Sequence, residues 1–371
     1  MSQQCHTKRK DKSIGFWYNT HESEVTLLKQ TLCWSETDLN LIENQAKLKA
    51  VIQSGLLVIF PTETVYGIGA NALDPLASKR IYQAKGRPSD NPLIVHISNK
   101  EDVYAYVRFV SEEAETLMDT FWPGPLTLIF EKNERIPLET TGGLNTVAIR
   151  FPSNPIAQQV IHLAGVPIAA PSANISGKPS STAFQHVFDD FNGRVDIIID
   201  GGPSEIGLES TVIDMTSETP TILRPGFITK KMIESALNRT VHDLSDTKPT
   251  GNVKSPGMKY THYKPKGDVT ILKGDIEAMK DYVRAHHVNH PDKRYAVICE
   301  SEYVSLFDVP VRALGSVHNQ KEMAHNLFAA LRDMDDWTVD FIFIHHLSTD
   351  DLGYALMNRL EKAAGYQIID L

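Results

Sequence analysis

The 371-residue sequence predicts an α/β protein with two domains, each built on its own sheet. Two observations support this prediction. Short apolar runs alternate with helical patterns over residues 41–238, and a second, shorter alternation follows over residues 269–371. Between them, residues 239–268 are rich in Pro, Gly, Lys and Thr without sustained periodicity, which is typical of a linker. Residues 1–40 are polar and weakly periodic, and we interpret them as an N-terminal extension.

Strands of the first domain are predicted from short apolar runs that are flanked on each side by turn-forming residues. These runs are "GLLVIF" (55–60), "PLIVHIS" (92–98), "PLTLIFE" (125–131), "TVAIRF" (146–151), "VPIAA" (166–170), "VDIIID" (195–200), "STVIDM" (210–215) and "PTILRP" (220–225). The last two follow each other without an intervening helix, which favours a mixed sheet over a purely parallel one.

Helices of the first domain are predicted between several of these strands. They are "LASKRIYQAK" (76–85), "SEEAETLMDTFW" (111–122), "NPIAQQVIHLAG" (154–165) and "ITKKMIESAL" (228–237). In the second domain, runs such as "RYAVICES" and "VDFIFIHHL" alternate with helical patterns such as "KEMAHNLFAALRDMDDW". This alternation predicts a smaller unit of the βαβ type.

Composition limits the classes of function. Hydrophobic residues make up 42% and charged residues 22% of the chain, as in ordinary globular proteins. No apolar run is long enough to span a membrane, and the first residues lack the apolar core of a signal peptide, so we expect a cytoplasmic protein without a membrane partner. The formal net charge of −9 argues against extensive nucleic-acid binding. Three widely spaced cysteines support neither a disulfide framework nor a zinc site.

The segment "KGRPSDNPLIVHI" (85–97) places two cations on a proline-stiffened loop. Lys85 at a helix C-terminus is explained by the helix dipole, but Arg87 lies beyond Gly86, where the helix has ended. Arginine presents a planar fork that suits phosphate oxygens, and Asn91 could bind phosphate or ribose. For His96, an ordinary buried histidine is the simpler alternative.

Other polar groups stand at predicted strand ends. Arg150 lies in an apolar strand and needs an anionic partner, either a structural carboxylate or a ligand carboxylate. Ser172 lacks the G-x-S-x-G context of a nucleophile, so we expect it to form hydrogen bonds. The G-x-G at 67–69 is a weak nucleotide signal, and a tight turn explains it equally well. Such cations and hydroxyls suit phosphoryl or nucleotidyl transfer, in which the protein positions reactants and stabilises charge.

Five segments in this order resemble the YrdC-type threonylcarbamoyl-AMP synthase family in its longer, two-domain form. They are "PTETVYGIGANA", "KGRPSDNPLIVHI", "PGPLTLIF", "APSANISGKPSS" and "SPGMKYTHYKPKG". The resemblance covers residues from about 41 to 371. It implies a twisted, open, mixed α/β sheet with a concave positive face, followed by a smaller Rossmann-like α/β domain.

The resemblance also implies a reaction, in which L-threonine, bicarbonate or CO₂, and ATP give L-threonylcarbamoyladenylate and pyrophosphate. This nucleotidyl transfer is the first step of threonylcarbamoyladenosine formation beside the anticodon of tRNA. A transferase of the TsaD/Kae type would act next, and Mg²⁺ would accompany ATP. Direct tRNA binding is a further possibility.

Site residues follow from the resemblance, position by position. The residues expected to bind L-threonine are Thr64, His96, Arg150, Ser172 and Thr211. The residues expected to bind ATP are Lys85, Arg87, Asn91, Thr146, Ala170, Asn174, Ser180, Arg224 and, from the linker, Tyr263. No residue is expected to become covalently attached to the substrate or to ligate the metal. The linker is expected to reach back over the site and exclude water from the adenylate.

Two other functions are weighed against this one. A double-stranded RNA- or tRNA-binding module without catalysis could use a concave basic surface, but the net acidity disfavours it. Carbamoyl transfer to another acceptor, as in hydrogenase-maturation carbamoyltransferases, would come with acylphosphatase-like and zinc-finger segments that this sequence lacks.

Overall fold

The structure is a computed structural model that describes residues 30–88, 91–244 and 263–371. The strands of the first region are β1 (Leu32–Ser35), β2 (Val58–Phe60), β3 (Gly67–Asn71), β4 (Ile94–His96), β5 (Leu126–Glu131), β6 (Thr146–Arg150), β7 (Ile168–Ala169), β8 (Ile197–Asp200), β9 (Thr211–Asp214), β10 (Thr221–Arg224) and β11 (His242–Asp243). Its helices are α1 (Glu36–Leu39), α2 (Ile42–Gln53), α3 (Pro75–Lys85), α4 (Glu112–Phe121), α5 (Pro155–Ala164), α6 (Phe184–Phe191) and α7 (Lys230–Leu237).

These strands form one mixed sheet in the order β1–β8–β2–β3–β7–β4–β6–β5–β9–β10–β11. Strand β4 runs parallel to β6, whereas β7 runs antiparallel to both of its neighbours, β3 and β4. The predicted mixed α/β sheet is therefore confirmed. Among the strands of this sheet, β1, β3 and β11 were not predicted.

Helices cover both faces of the first sheet, because strand side chains alternate between the faces. Ile59 packs in the apolar cluster that holds Ile81 of α3 and Leu117 of α4. Its neighbour Phe60 packs in another cluster, with Leu48 of α2 among its members.

The N-terminal boundary of the first domain differs from the predicted one. Strand β1 pairs in parallel with β8, so residues 32–35 belong to the sheet and not to an extension that ends at residue 40. Thr31 Oγ1 donates to Val195 O at 2.7 Å, and Trp34 is buried. Only one side chain of this short strand is buried, so the sequence carries no clear period-2 signal.

The second region has an all-parallel sheet with helices around it. Its strands are β12 (Asp268–Lys273), β13 (Tyr295–Cys299), β14 (Val311–Ala313), β15 (Phe341–His345) and β16 (Ile368–Asp370), and its helices are α8 (Ile276–Asn289), α9 (Gln320–Asp336) and α10 (Leu352–Ala363). The strand order is β14–β13–β15–β12–β16, and every pair is parallel. This arrangement agrees with the predicted α/β architecture of the second domain.

The predicted linker, 239–268, falls largely outside the described residues. At its start, β11 pairs with β10 and extends the first sheet to Asp243. At its end, Lys264 N donates to Gly177 O of the first domain at 3.0 Å, and β12 begins at Asp268. Residues 245–262 are not described.

The two domains are packed against each other. Val65 and Leu208 of the first domain belong to the apolar core of the second. Arg332 of α9 donates to Pro179 O at 2.8 Å and to Asp190 Oδ2 at 2.8 Å. No helix among the described residues is long and apolar enough to cross a membrane.

Replacing Trp34 by Ala tests whether β1 is an integral part of the first domain. The substitution removes a buried aromatic side chain, and we expect the free energy of unfolding to fall by about 3 kcal/mol. Denaturant unfolding followed by circular dichroism measures the change. Cys33→Ala, on the exposed face of the same strand, is the matched control. Equal and small effects of both substitutions would show that β1 is dispensable.

Candidate functional site

A cleft opens at the strand ends of the first sheet, on the side that faces the second domain. It encloses about 730 Å³, part of which is continuous with solvent. The residues that line it are Thr62, Thr64, Val65, Tyr66, Gly67, Lys85, Arg87, Ile94, His96, Arg150, Ala170, Pro171, Ser172, Asn174, Ser176, Gly177, Glu209, Ser210, Arg224 and Tyr263.

Arg150 is held in one corner of the cleft by neighbouring loops. The guanidinium donates from Nη1 to Thr64 Oγ1 at 2.8 Å and from Nε to Gly124 O at 3.3 Å. Glu63 Oε1 lies 2.7 Å from Nη2, so a buried carboxylate balances the charge. The contact with Glu63 is an ion pair only, and Nη2 forms no hydrogen bond within the described residues. The structural partner that the sequence left open is thus Glu63, and a ligand carboxylate can still bind beside it.

His96 lies next to Arg150, because the parallel strands β4 and β6 pair these two residues in register. Its Nδ1 is 3.1 Å from Ile94 O, and its ring meets Phe60 edge to face. Burial, reinforced by the charge of Arg150, lowers the pKa of His96 to about 3. The imidazole is therefore neutral at physiological pH, and the backbone of Ile94 and of Ile168 hydrogen bonds to it.

Lys85 enters the cleft from the C-terminal end of α3. Its ammonium group donates to the carbonyl oxygens of Ser172 and, at 2.8 Å, of Asn174. These two carbonyls belong to a tight loop in which Ser172 Oγ donates to Asn174 Oδ1 at 2.6 Å. Burial, together with the nearby charge of Arg87, lowers the pKa of Lys85 to about 7. The helix ends at Gly86, whose φ of 64° is in the left-handed region that glycine adopts easily.

Arg224 lines the cleft from the end of β10. Its Nε donates to Ser210 O and its Nη2 to Ser210 Oγ, each at 3.0 Å. The Ser210 hydroxyl also lies 2.7 Å from Thr127 Oγ1. Burial lowers the pKa of Arg224 to about 10, and the charge of Glu209 opposes that effect. Arg224 is thus a positioned cation.

Glu209 is a buried carboxylate in the cleft wall with partners on several sides. Ser180 Oγ donates to its Oε1 at 2.6 Å, and Arg359 Nε of α10 donates to its Oε2 at 3.1 Å. The Tyr263 hydroxyl also hydrogen bonds to Glu209. Burial alone would raise the pKa of Glu209, but the charges of Arg359 and Arg224 outweigh it and lower the pKa. The carboxylate is therefore ionised.

Ten of the fourteen predicted site residues line this one cleft. They are Thr64, Lys85, Arg87, His96, Arg150, Ala170, Ser172, Asn174, Arg224 and Tyr263. Tyr263 follows directly on the undescribed part of the linker and packs against Phe328 with ring centroids 5.0 Å apart. Which ligand each of these residues contacts stays a prediction.

Four predicted residues are not in the cleft wall. Thr211 Oγ1 donates to Ile228 O at 2.7 Å, because side chains of a strand alternate and Ser210 occupies the position that faces the cleft. Ser180 lies behind Glu209. Thr146 begins β6, whereas Arg150 ends it, so the two lie about 13 Å apart along the strand.

The fourth residue, Asn91, is fully buried beside the cleft. Neither Nδ2 nor Oδ1 of its side chain has a hydrogen-bond partner within the described residues. Buried amides are normally hydrogen-bonded, so this side chain is ready for a ligand or for a rearrangement of its own loop.

Three charged residues were not identified from the sequence as belonging to the site. Glu63 and Glu209 stand in loops beside predicted ligand-binding residues, but nothing in the sequence links them to particular arginines. Arg359 did leave a signal. It lies at helical spacing among buried residues, between Leu356 and Leu360, where an arginine requires a partner.

The cleft combines buried cations with hydroxyls, amides and backbone carbonyls. Such a surface can bind an anion of several charges together with a small polar molecule, and can stabilise charge that develops between them. Among the described residues, no group of three or more His, Cys, Asp or Glu side chains could hold a metal ion.

Comparison with known proteins identifies relatives over most of the chain. A family model described as "Telomere recombination" matches residues 50–226, and one described as "Threonylcarbamoyl-AMP synthase, C-terminal domain" matches residues 228–365. The threonylcarbamoyl-AMP synthase of Pyrococcus abyssi is 47% identical over 86% of this chain and 93% of the relative. That of Bacillus subtilis is 43% identical over 87% of this chain and 94% of the relative.

A solved structure is similar over both domains. The crystal structure of P. abyssi Sua5 complexed with L-threonine matches this structure with a TM-score of 0.85 and 43% sequence identity. The match covers 92% of this chain and 99% of the other. The two-domain architecture is thus the same in both proteins.

The buried neutral histidine predicts an acid-dependent loss of stability. The unfolded chain binds a proton on His96 near pH 6.5, whereas the folded chain does so only near pH 3. The free energy of unfolding therefore falls as the pH drops through this window, by about 2 kcal/mol between pH 7 and pH 5. His96→Gln should flatten this dependence in denaturant titrations at several pH values. His162→Gln, at an exposed position on α5, should leave it unchanged. Equal slopes for wild type and His96→Gln would contradict the assignment.

Proposed function

The chain belongs to the threonylcarbamoyl-AMP synthase family, and on that premise we propose that its cleft joins L-threonine, bicarbonate and ATP. The products are L-threonylcarbamoyladenylate, pyrophosphate and water. A TsaD/Kae-type transferase would then move the threonylcarbamoyl group to an adenosine of tRNA beside the anticodon. The same proposal places the protein in the cytoplasm, where ATP and tRNA are present.

One observation carries this proposal most directly, namely the convergence of Arg150, Lys85 and Arg224 on one cleft. They come from three strand or helix ends that are far apart in sequence. Glu63 and Glu209 compensate part of this positive charge, and anionic ligands would compensate the rest. An amino-acid carboxylate and a triphosphate provide such anions.

L-Threonine would lie at the Arg150 corner. The Nη2 group of Arg150, which forms no hydrogen bond within the described residues, could donate to the substrate carboxylate, and neutral His96 is beside it. The hydroxyls of Thr64 and Ser172 line the same part of the cleft and could bind the amino or hydroxyl group of threonine. Since Thr211 points away, Ser210 is the better candidate for the contact expected of it.

ATP would lie against Lys85, Arg87 and Arg224, whose charges compensate those of the phosphates. Asn174 and Tyr263 complete this wall. Mg²⁺ would arrive with the triphosphate and stay on phosphate oxygens and water, since the described residues form no carboxylate cluster for it and Glu209 is engaged by Ser180 and Arg359.

The reaction requires two bond-forming steps. The threonine amine first attacks bicarbonate with loss of water, or CO₂ with loss of a proton from the nitrogen, and a carbamate results. A carbamate oxygen then attacks the α-phosphorus of ATP, and pyrophosphate leaves. The contribution of the protein is to hold the two reactants in line and to stabilise the negative charge on the phosphates, without a covalent intermediate on a side chain.

Pyrophosphate release tests the function itself. Purified protein with ATP and Mg²⁺ should release pyrophosphate only when L-threonine and bicarbonate are both present, because the carbamate is the nucleophile. A coupled phosphatase assay, with each component omitted in turn, measures this requirement. Release that is independent of threonine or bicarbonate would refute the proposal. Salt-dependent binding of RNA without any release would favour the non-catalytic alternative.

Arg150 variants test which substrate that corner binds. Arg150→Met combined with Glu63→Gln removes both charges of the buried pair and so avoids an unpaired carboxylate. We expect the KM for threonine to rise by about tenfold or more, since a charged hydrogen bond contributes roughly 1.5–3 kcal/mol. The KM for ATP should change much less, and the melting temperature shows whether the variant is folded. Arg224→Met, with the opposite pattern expected, is the matched control. A larger effect of the Arg150 variant on ATP would refute the assignment.

A further inference from the structure

Arg359 connects the second domain to the wall of the cleft. It lies on α10 and is fully buried, with 0% of its surface exposed. Its Nε donates to Glu209 Oε2 at 3.1 Å, and its Nη1 donates to Asn358 Oδ1 at 3.2 Å. Glu209 lines the cleft, whereas Arg359 does not. Arg359 therefore contacts the cleft wall through Glu209, and its charge also acts on Arg224 and Tyr263.

The two domains also dock through contacts other than this ion pair. Val65 and Leu208 already pack in the apolar core of the second domain, and Arg332 makes a second set of hydrogen bonds across the interface. A buried ion pair is often no more stabilising than apolar side chains of the same volume. A guanidinium at position 359 is therefore explained better by its effect on Glu209 than by domain docking alone.

Glu209 would otherwise weaken a site for anions. Its carboxylate is within electrostatic range of Lys85 and Arg224, two of the cations that line the cleft. An uncompensated negative charge there would cancel part of their attraction for a polyanion. Arg359 adds one positive charge next to the Glu209 carboxylate, so the net charge on this side of the cleft remains positive.

Arg359 also fixes the orientation of Glu209. One carboxylate oxygen accepts from Ser180 and the other from Arg359, so both oxygens are engaged. The Tyr263 hydroxyl binds to the same carboxylate. The tyrosine is thus held both by this carboxylate and by the packing of its ring against Phe328 of α9.

We propose that Arg359 is a positioning residue of the nucleotide site, supplied by the second domain, which neutralises Glu209 and holds it in place for the binding of a nucleoside triphosphate. This inference rests on the proposed function, since it assigns that wall of the cleft to ATP. It gives the second domain a role in substrate binding.

The test compares steady-state kinetics of three full-length variants with those of the wild type. Arg359→Met removes the charge and keeps the length of the side chain. Arg359→Met with Glu209→Gln removes both charges and retains an oxygen acceptor for Ser180. Arg332→Met, made together with Asp190→Asn, removes another interdomain ion pair, whose members do not line the cleft. Both charges are removed because Arg332 and Asp190 act on Lys85 with opposite signs.

We expect Arg359→Met to raise the KM for ATP by tenfold or more and the KM for threonine by less than threefold. Arg359→Met with Glu209→Gln should recover at least half of the loss on a logarithmic scale. Arg332→Met with Asp190→Asn should lower the melting temperature without selective effect on ATP. Equal changes of both KM values in Arg359→Met, or no recovery when Glu209→Gln is added, would reduce Arg359 to a structural role and overturn the proposal.

The pH dependence of ATP binding gives an independent readout. The charged or titratable groups that face Glu209 are Arg359 of α10, Arg224 of β10, Lys85 of α3 and Tyr263. Without Arg359 the pKa of Glu209 rises, because its main opposing charge is lost. The KM for ATP of Arg359→Met, divided by that of the wild type, should therefore fall towards one as the pH decreases and Glu209 is protonated. Adding Glu209→Gln to Arg359→Met should abolish this pH dependence.

A ratio that is constant with pH would contradict the electrostatic mechanism. Wild-type turnover under the same conditions separates this inference from the proposed function. If wild-type protein releases no pyrophosphate, the proposed function fails. If it does and Arg359→Met behaves like Arg332→Met with Asp190→Asn, only the inference about Arg359 fails.

Discussion

Cations can be buried at the strand ends of this protein only where an anion or a carbonyl oxygen lies beside each of them. Arg150 meets Glu63, and Arg224 lies near Glu209. Lys85 has no carboxylate at hydrogen-bonding distance within the described part of the chain and is held by two backbone carbonyls instead. The cleft is thus a set of compensated charges, each with N–H groups that a ligand can still approach.

The mixed sheet makes this arrangement possible. Parallel pairing of β4 with β6 places His96 beside Arg150, and the isolated bridge between Gly67 and Ser172 brings two loops together at the same edge. In a purely parallel sheet, consecutive neighbouring strands would have to be joined by long crossover connections. Here antiparallel β7 lies between β3 and β4 and places Ala170 in the cleft wall.

Local patterns predicted the strands that carry Arg150 and Arg224, because apolar runs and their flanking turn residues are local properties. They did not predict β3, since its two glycines also suit a turn and its β-pairing is settled by distant partners. The pairing of Glu209 with Arg359 spans 150 positions, so no local pattern contains it. Family resemblance supplied the candidate ligand-binding residues, but only the strand register shows that Thr211 faces away from the cleft.

Residues 206–210 contact both domains. Ile206 N donates to Glu63 O, Leu208 enters the second core, and Ser210 hydrogen bonds to Arg224. Close approach to the backbone of α9 leaves no room for a Cβ at Gly207. Separating the domains would therefore break the contacts of residues 206–210 with both domains at once. Heat should consequently melt both domains in one cooperative transition, with the calorimetric and van't Hoff enthalpies equal.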